Sequence, residues 1–472
     1  MRVRILNTSF AVTDCHTRLP FRFGMNTMTW APTLTARVEL EGEGGKAIGH
    51  SADLLVPKWF EKDPAKSLQQ DVEGLMQSAT AAARVAQTER LESVFELWWR
   101  TYKERVHGQP LDASDRLLRG FGVALVERAV MDAACRLAQV SFFDALKQDL
   151  FRIQPALVYP ELCDWSLAES LPDQPRRTIA VRHTVGLLDD LRVSDIDPAQ
   201  RIEDGLPQAL EEDIQAYGLQ WFKLKLCGDR EVDLPRTLAF GEVLKEHARP
   251  DARFTVDGNE QFADLDLLVT FLKDLARQPG GSWLVERLLY IEQPLPRAVS
   301  LDSAAKSGLA ALAEIAPVIL DEADHGIEAF PRALELGYGG VSIKNCKGVF
   351  RALLNRGLCE KRGAFQSGED LTNLGVLALQ QDLCTMAALG LGHVERNGHH
   401  YFRGLDHLSR SEANSAQEHH PGLWTQADGG HRLKIEEGRL DLTSLPGVGF
   451  GYSNTIDWES RTPLEDWTFQ ER

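Results

Sequence analysis

The sequence predicts an α/β protein in which a closed barrel of eight parallel strands is joined to a smaller unit built from both ends of the chain. Three observations carry this reading. Between Thr178 and about Glu395, short apolar runs alternate with helical stretches, the rhythm of parallel strands joined by crossover helices. Before about residue 55, apolar and polar residues alternate with period two, as in half-buried antiparallel strands. After residue 400 the central rhythm stops, and HRLKIEEGRLDL regains strand character around a turn at Gly438.

In chain order, TLTARVEL (Thr33 to Leu40) alternates, and Gly42, Gly44 and Gly45 supply the following turn, so residues 1 to about 55 read as a β-meander. From about 64 to 150 the period is helical. Ser114 is a good N-cap, and Leu117, Leu118, Phe121, Leu125, Ala129 and Ala133 follow it at helical spacing. The central runs are TIAVRHTV, WFKLKL, RFTVD, LLYIEQ, PVILDE, GVSIK, GAFQS and GHVE, which makes eight, each separated from the next by about one strand–helix unit. A doubly wound open sheet would want a glycine fingerprint after its first strand, and none is present. GVGFG at 447–451 has no strand–turn–helix setting and is not read as a phosphate loop. The expected units are residues 1–150, residues 178–396, and a segment 400–472 that returns to the first.

The chain has 472 residues, 43% of them hydrophobic, and a formal charge of -17. An acidic protein repels nucleic acid and anionic membranes, so neither is an expected partner. No apolar run approaches the roughly 18–20 residues of a membrane span, and MRVRILNTSF lacks a signal peptide's apolar core, so a soluble, cytoplasmic protein is expected. Seven scattered cysteines without a CxxC pair read as reduced core residues.

In a barrel of this kind the site lies where the C-terminal strand ends meet their loops, so the residue closing each strand matters most. Run two ends in Lys223 and Lys225, which share one strand face; runs three to five end in Asp257, Glu292 and Asp321; run six ends in Lys344. Three carboxylates converging on an apolar mouth repel one another unless a cation sits between them. All-oxygen ligation suits Mg²⁺ better than zinc. Asp321 and Glu322 are adjacent and point oppositely on a regular strand, so only one can be the ligand, and Asp321 is chosen. Lys225 and Lys344, on strands either side of the carboxylates, would meet a bound substrate from opposite faces. Burial beside a divalent cation and a second ammonium would bring a lysine from about 10.4 toward about 7–8, roughly 3–5 kcal/mol of differential interaction.

With these residues in place, the sequence resembles the enolase superfamily, and within it the mandelate racemase and muconate lactonizing enzyme-like proteins, closest to the muconate lactonizing enzyme and dipeptide epimerase branch. The likeness runs through LPFRFGMNTMTW, VELEGEGGKAIGHSA, RAVMDAACRLA, the KxK of Lys223 and Lys225, the DGN of Asp257 to Asn259, and LPGVGFG. It implies a (β/α)7β modified TIM barrel closed by an α+β capping domain from the N- and C-terminal segments. It implies Lys225 and Lys344 as the acid/base pair, Lys223 as the lysine that helps polarise the substrate, Asp257, Glu292 and Asp321 as Mg²⁺ ligands, and Asn259 beside the metal. It also implies that the loop GHSADLL, from which His50 would reach the barrel mouth, and the loop at Leu19 to Met28 select the substrate, and that homo-oligomers are common. Glu369, Asp370 and Glu395 help shape the pocket or sit in a solvated loop. His399 and His400 are read as structural or solvent-facing, and His183 as facing the pocket or filling the barrel floor. The role of the insertion at about 57–108 is open.

The implied activity is removal of the proton α to the carboxylate of a small acid, giving an enediolate stabilised by Mg²⁺. Racemisation, epimerisation or cycloisomerisation would follow. A sugar-acid dehydratase of the mandelate racemase type is the alternative enzyme, although the strand-seven histidine it usually carries is not found. A barrel that binds without turnover is the alternative from another class.

Overall fold

The computed structural model describes residues 1–427 and 429–470. The cap opens with the antiparallel meander Arg2–Phe23, Asn26–Gly42 and Gly45–Leu54, with Phe23 opposite Asn26 and Gly42 opposite Gly45. The alternation of TLTARVEL sorts its side chains: Leu34, Ala36, Val38 and Leu40 are fully buried. They face helix Ala113–Ala138, whose Leu117, Phe121, Leu125, Ala129 and Ala133 form the facing stripe. Each buried Leu or Val contributes about 1.5–3 kcal/mol. The N-cap of this helix is Asp112, accepting from Asp115 N, and not Ser114, which lies in the first turn. Sheet and helix approach closely because strand three carries Gly49; a Cβ there would sit 2.2 Å from Ala129 O.

The insertion forms two further cap helices, Leu68–Ala86 and Val94–Tyr102, each begun by a capping box, Ser67 with Gln70 and Ser93 with Glu96. Trp98 is buried between Phe95, Tyr102 and Phe350, the last on a barrel helix, so the insertion is part of the seam between cap and barrel.

The barrel strands are Thr178–Val185, Trp221–Lys225, Arg253–Asp257, Leu288–Glu292, Val318–Leu320, Gly340–Ile343, Phe365–Gly368 and His393–Arg396. Each runs parallel to the next, and the eighth pairs back with the first, Val394 beside Val181, so the sheet has no open edge along this ring. Helices Leu210–Tyr217, Arg230–His247, Leu265–Arg277, Ala305–Ala313, Ala329–Leu336, Val349–Arg362 and Leu377–Ala388 follow the first seven strands, giving the (β/α)7β order. The tail divides its pairing. Arg439–Asp441 joins the start of barrel strand one, antiparallel, and among the described residues of the tail Thr462–Pro463 alone pairs as a strand with the cap sheet, against Ala11 and Val12 of the first strand. The GVGFG stretch packs rather than binds: Phe450 stacks on Phe142 with ring centroids 4.0 Å apart. All seven cysteines are unpaired, and Cys163 is exposed, unlike the core residues expected. Among the described residues no helix is long and apolar enough to cross a membrane.

Candidate active site

Strand alternation selects which side chains enter the barrel. On Trp221–Lys225, Phe222 turns outward against Phe240 while Lys223 and Lys225 turn inward. Parallel register then sets Lys225 beside Asp257 and Asp257 beside Glu292. Asp321, Lys344 and Glu369 each occupy the first position after their strands, and Glu395 lies within the eighth.

Lys223 is the centre of this arrangement. Its Nζ donates to Glu369 Oε2 at 2.9 Å and Glu395 Oε2 at 3.1 Å, and lies 3.0 Å from Asp257 Oδ2 and 2.7 Å from Glu292 Oε2. Lys225 Nζ donates to Asp257 Oδ2 at 2.5 Å, and Lys344 Nζ to Asp321 Oδ2 at 2.7 Å. Burial pushes the ammonium groups of Lys223 and Lys344 down, but the carboxylates against them outweigh it and hold both well above the ordinary lysine range.

The carboxylates diverge. Burial, then the charges of Asp257 and Glu369, raise Glu292 well above the usual carboxylate range. Burial acts the same way on Asp257, but Lys223 and Lys225 override it and lower that group; Lys344 and Lys347 do so for Asp321. Asp321 and Glu322 point apart as alternation requires. Asp321 turns to Lys344 and Lys347, and Glu322 to Lys62, 3.5 Å away, and to the Asn259 side-chain amide at 3.4 Å.

Several buried oxygens here accept no hydrogen bond: both oxygens of Glu292, Asn259 Oδ1 and Glu322 Oε2. The Lys223 ammonium is close to Glu292 but off the hydrogen-bonding direction. Buried polar atoms are normally satisfied, and an all-oxygen set left short of donors suits a hard cation such as Mg²⁺.

The cap covers the barrel mouth. Phe21 and Phe23 from the first hairpin, and Val56 and Trp59 from the loop after strand three, share a small cavity of about 30 Å³ with Lys225, Lys344, Asn259, Asp370, Leu371 and Glu395. The Trp59 ring lies 4.7 Å from Lys344 Nζ. Arg297 holds the loop: its guanidinium donates to Trp59 O at 2.8 Å and Phe60 O at 2.6 Å while pairing with Glu260. Lys62 pairs with Glu260 at 2.5 Å and donates to Asn259 O at 3.1 Å.

Of the residues singled out in the sequence, Lys223, Lys225, Asp257, Asn259, Glu292, Asp321, Lys344, Glu369, Asp370 and Glu395 gather at or just inside the mouth. Asp370 pairs with Arg396 at 2.7 Å, and burial pushes it up to about 6. His50 is not among them. GHSADLL is extended strand, not a loop, and fixes His50 between cap and tail, with Nδ1 3.0 Å from the Tyr452 hydroxyl and its pKa pushed down to about 3 by burial and Arg136. His183 neither faces the pocket nor fills the floor: Arg182 and Thr184 point inward, so His183 points outward. His399 and His400 are buried rather than solvent-facing.

Sequence reasoning missed Arg182, Lys347, Trp59, Lys62 and Arg297. Arg182, fully buried, pairs with Glu369 and lies 5.5 Å over the Tyr290 ring, beneath Lys223; an arginine inside the apolar run TIAVRHTV was the available signal. Lys347 follows Lys344 by one tight turn, and its Nζ donates to Ser342 O at 2.8 Å beside Asp321. The pair Trp59 and Phe60, adjacent aromatics ahead of a polar stretch, signalled the lid.

Residues 206–456, more than half of the chain, match the family model described as enolase C-terminal domain-like. No curated protein matches the chain. Among solved structures it is similar to muconate lactonizing enzyme from Pseudomonas fluorescens in complex with muconolactone, at TM-score 0.62 and 14% identity, over 96% of this chain and 97% of that one. It is similar to the dipeptide epimerase from Enterococcus faecalis with Mg and the dipeptide L-Leu-L-Tyr, at TM-score 0.61 and 14% identity, over 95% and 99%. It is also similar to an enolase from Bradyrhizobium complexed with magnesium and mandelic acid, at TM-score 0.60 and 16% identity, over 98% and 97%. At such identities the likeness speaks for the fold. The family match, by contrast, spans barrel strands two to eight with every lysine and carboxylate at their ends, and the chain belongs to the enolase superfamily, whose members are isomerases and lyases.

Proposed function

We propose that the protein is an acid/base enzyme that removes the proton α to the carboxylate of a small organic acid, with Lys225 and Lys344 as the proton-transferring pair. The observation that carries this reading is that these two lysines, from strands two and six, line one cavity under an apolar lid, each against a different strand-end carboxylate. Lys223, held among four carboxylates, has no free direction in which to meet a substrate and acts as a fixed charge behind Lys225. Asp257, Glu292 and Asp321, with Asn259 beside them, would hold Mg²⁺, whose charge offsets the negative charge that builds on the substrate carboxylate as the α proton leaves. Lys225 and Lys344 give the site two proton carriers, so the α-carbon can lose a proton to one and regain it from the other, which favours a racemase, epimerase or cycloisomerase. Phe21, Phe23, Val56, Trp59 and Leu371 exclude water from that transfer and suit an acid with an apolar substituent, such as an N-acylamino acid or a dipeptide, over a polyhydroxylated sugar acid.

The test is incubation with Mg²⁺ and a panel of N-acylamino acids, dipeptides and sugar acids in D₂O, reading deuterium at the α-carbon. Exchange is expected for an apolar acid and is lost in Lys225→Ala and Lys344→Ala. If no acid exchanges and the two substitutions alter nothing except stability, the reading fails.

A further inference from the structure

We infer that the protein carries a second metal site, a structural zinc site, on the outside of the barrel wall, formed by His183, Asp213 and His399. The three come from separate elements: His183 from the outward face of strand one, Asp213 from the first crossover helix, and His399 from the turn Gly398–Tyr401 after strand eight. One ligand atom from each lies within 4.8 Å of the others, the one such trio of metal-ligating side chains among the described residues. His183 Nδ1 is 3.0 Å from His399 Nε2, and His183 Nε2 is 3.7 Å from Asp213 Oδ2. One imidazole gives one nitrogen to an ion: Nδ1 of His183 is the nitrogen beside His399 and Nε2 the one beside Asp213. Four ligands held tetrahedrally about 2.0–2.1 Å from zinc stand roughly 3.3 Å from one another, close to the separation of His183 Nδ1 and His399 Nε2.

A hydrogen-bonded cluster without metal leaves too much unsatisfied. All three residues are at least nine-tenths buried, yet neither oxygen of Asp213 accepts a well-formed hydrogen bond, and His399 Nδ1 has no partner. Imidazole nitrogens with one carboxylate are the donor set of zinc rather than of Mg²⁺ or Ca²⁺. His400 Nδ1 stands 3.0 Å from Asp213 Oδ2 and supplies either the fourth ligand or the group that orients the aspartate. The site differs from the barrel mouth in chemistry and in place, because the wall of strand one separates them. Its position is the seam where strand eight pairs with strand one, so the ion ties that closure to the first crossover helix.

The experiment uses the full chain, stripped with EDTA and reloaded with Zn²⁺ or Co²⁺ alone, followed by elemental analysis, melting and visible absorption. The expected result is one zinc per chain, a raised melting temperature, and the d–d bands of four-coordinate Co²⁺. His399→Gln and Asp213→Asn abolish uptake, His400→Gln weakens it about 10- to 100-fold, and Glu292→Gln in the barrel mouth leaves it unchanged. Should the first two variants fail to fold, zinc-edge X-ray absorption of the loaded wild-type protein decides. Imidazole back-scattering supports the site, and a shell of oxygens alone overturns it. No zinc uptake by the wild-type protein, or equal uptake by folded His399→Gln, also overturns it.

Discussion

Arg297→Ala removes the attachment of the lid and tests whether the loop at Trp59 is held by one side chain. The guanidinium makes two charged hydrogen bonds to Trp59 O and Phe60 O and two to Glu260, at 2.6–2.9 Å, and both Arg297 and Glu260 are more than nine-tenths buried. Breaking a buried ion pair costs about 3–5 kcal/mol, but Glu260 keeps Lys62 at 2.5 Å, which removes part of that penalty. The two carbonyls each lose a charged donor, about 1–3 kcal/mol if they stay dry. The net is about 4 kcal/mol, a ceiling set by release of the loop, since detached groups rehydrate. A change of that size raises the open population of the loop by about a thousandfold. Limited trypsin digestion of the native protein reads it directly, because Lys58, Lys62 and Lys66 lie on the loop, and urea unfolding separates local opening from global loss. Arg297→Lys restores part of the protection. If cleavage at these lysines and the urea midpoint both stay at wild-type values, the lid is not held in this way.

Other expectations follow from single features. Burial pushes Asp382 up to about 7, above its unfolded value of about 3.9. The group therefore favours the fold below about pH 4 and loses that contribution as pH rises through about 7, up to about 4 kcal/mol by pH 8. Urea midpoints from pH 5 to 8 fall less steeply in Asp382→Asn, and identical slopes would count against the buried acid. Saturating Mg²⁺ stabilises the wild-type protein, by about 2.7 kcal/mol at a hundredfold excess over Kd, and Glu292→Gln shrinks that melting shift; an unchanged shift removes Glu292 from the ligands. Gly49→Ala forces a Cβ into the Ala129 carbonyl and lowers stability by about 3 kcal/mol, and a wild-type urea midpoint would show that sheet and helix can part without cost.

The barrel was legible because each strand end wrote its chemistry next to its own apolar run: Lys225, Asp257, Glu292, Asp321 and Lys344 follow from period two and local order alone. What local order cannot give is which charges meet across the barrel. Lys223 reads as a neighbour of Lys225, yet its partners Glu369 and Glu395 lie 146 and 172 residues away and reach it only through closure of strand eight on strand one. The lid was hidden for a similar reason, since Arg297 finds Trp59 across 238 residues. His50 misled because a glycine-flanked stretch reads as a loop, while pairing with Asn26–Gly42 on one side makes it strand. His183 could not be placed until the parity of Arg182 was known.

The pairing of Thr462–Pro463 with Ala11 and Val12 bears on the order in which the molecule can be completed during synthesis. The first strand, 22 residues long, emerges before any of the barrel, and its outer edge is covered only at Arg2 and Val3, by Glu92–Ser93, until the tail arrives. A long edge of unpaired amide and carbonyl groups invites pairing with other chains. Trp30 stays without Trp467, which stacks on it at 6.4 Å, for the same interval. Until residues 462–463 are made, the nascent chain carries this flank exposed, and the tail then clips it at Ala11 and Val12.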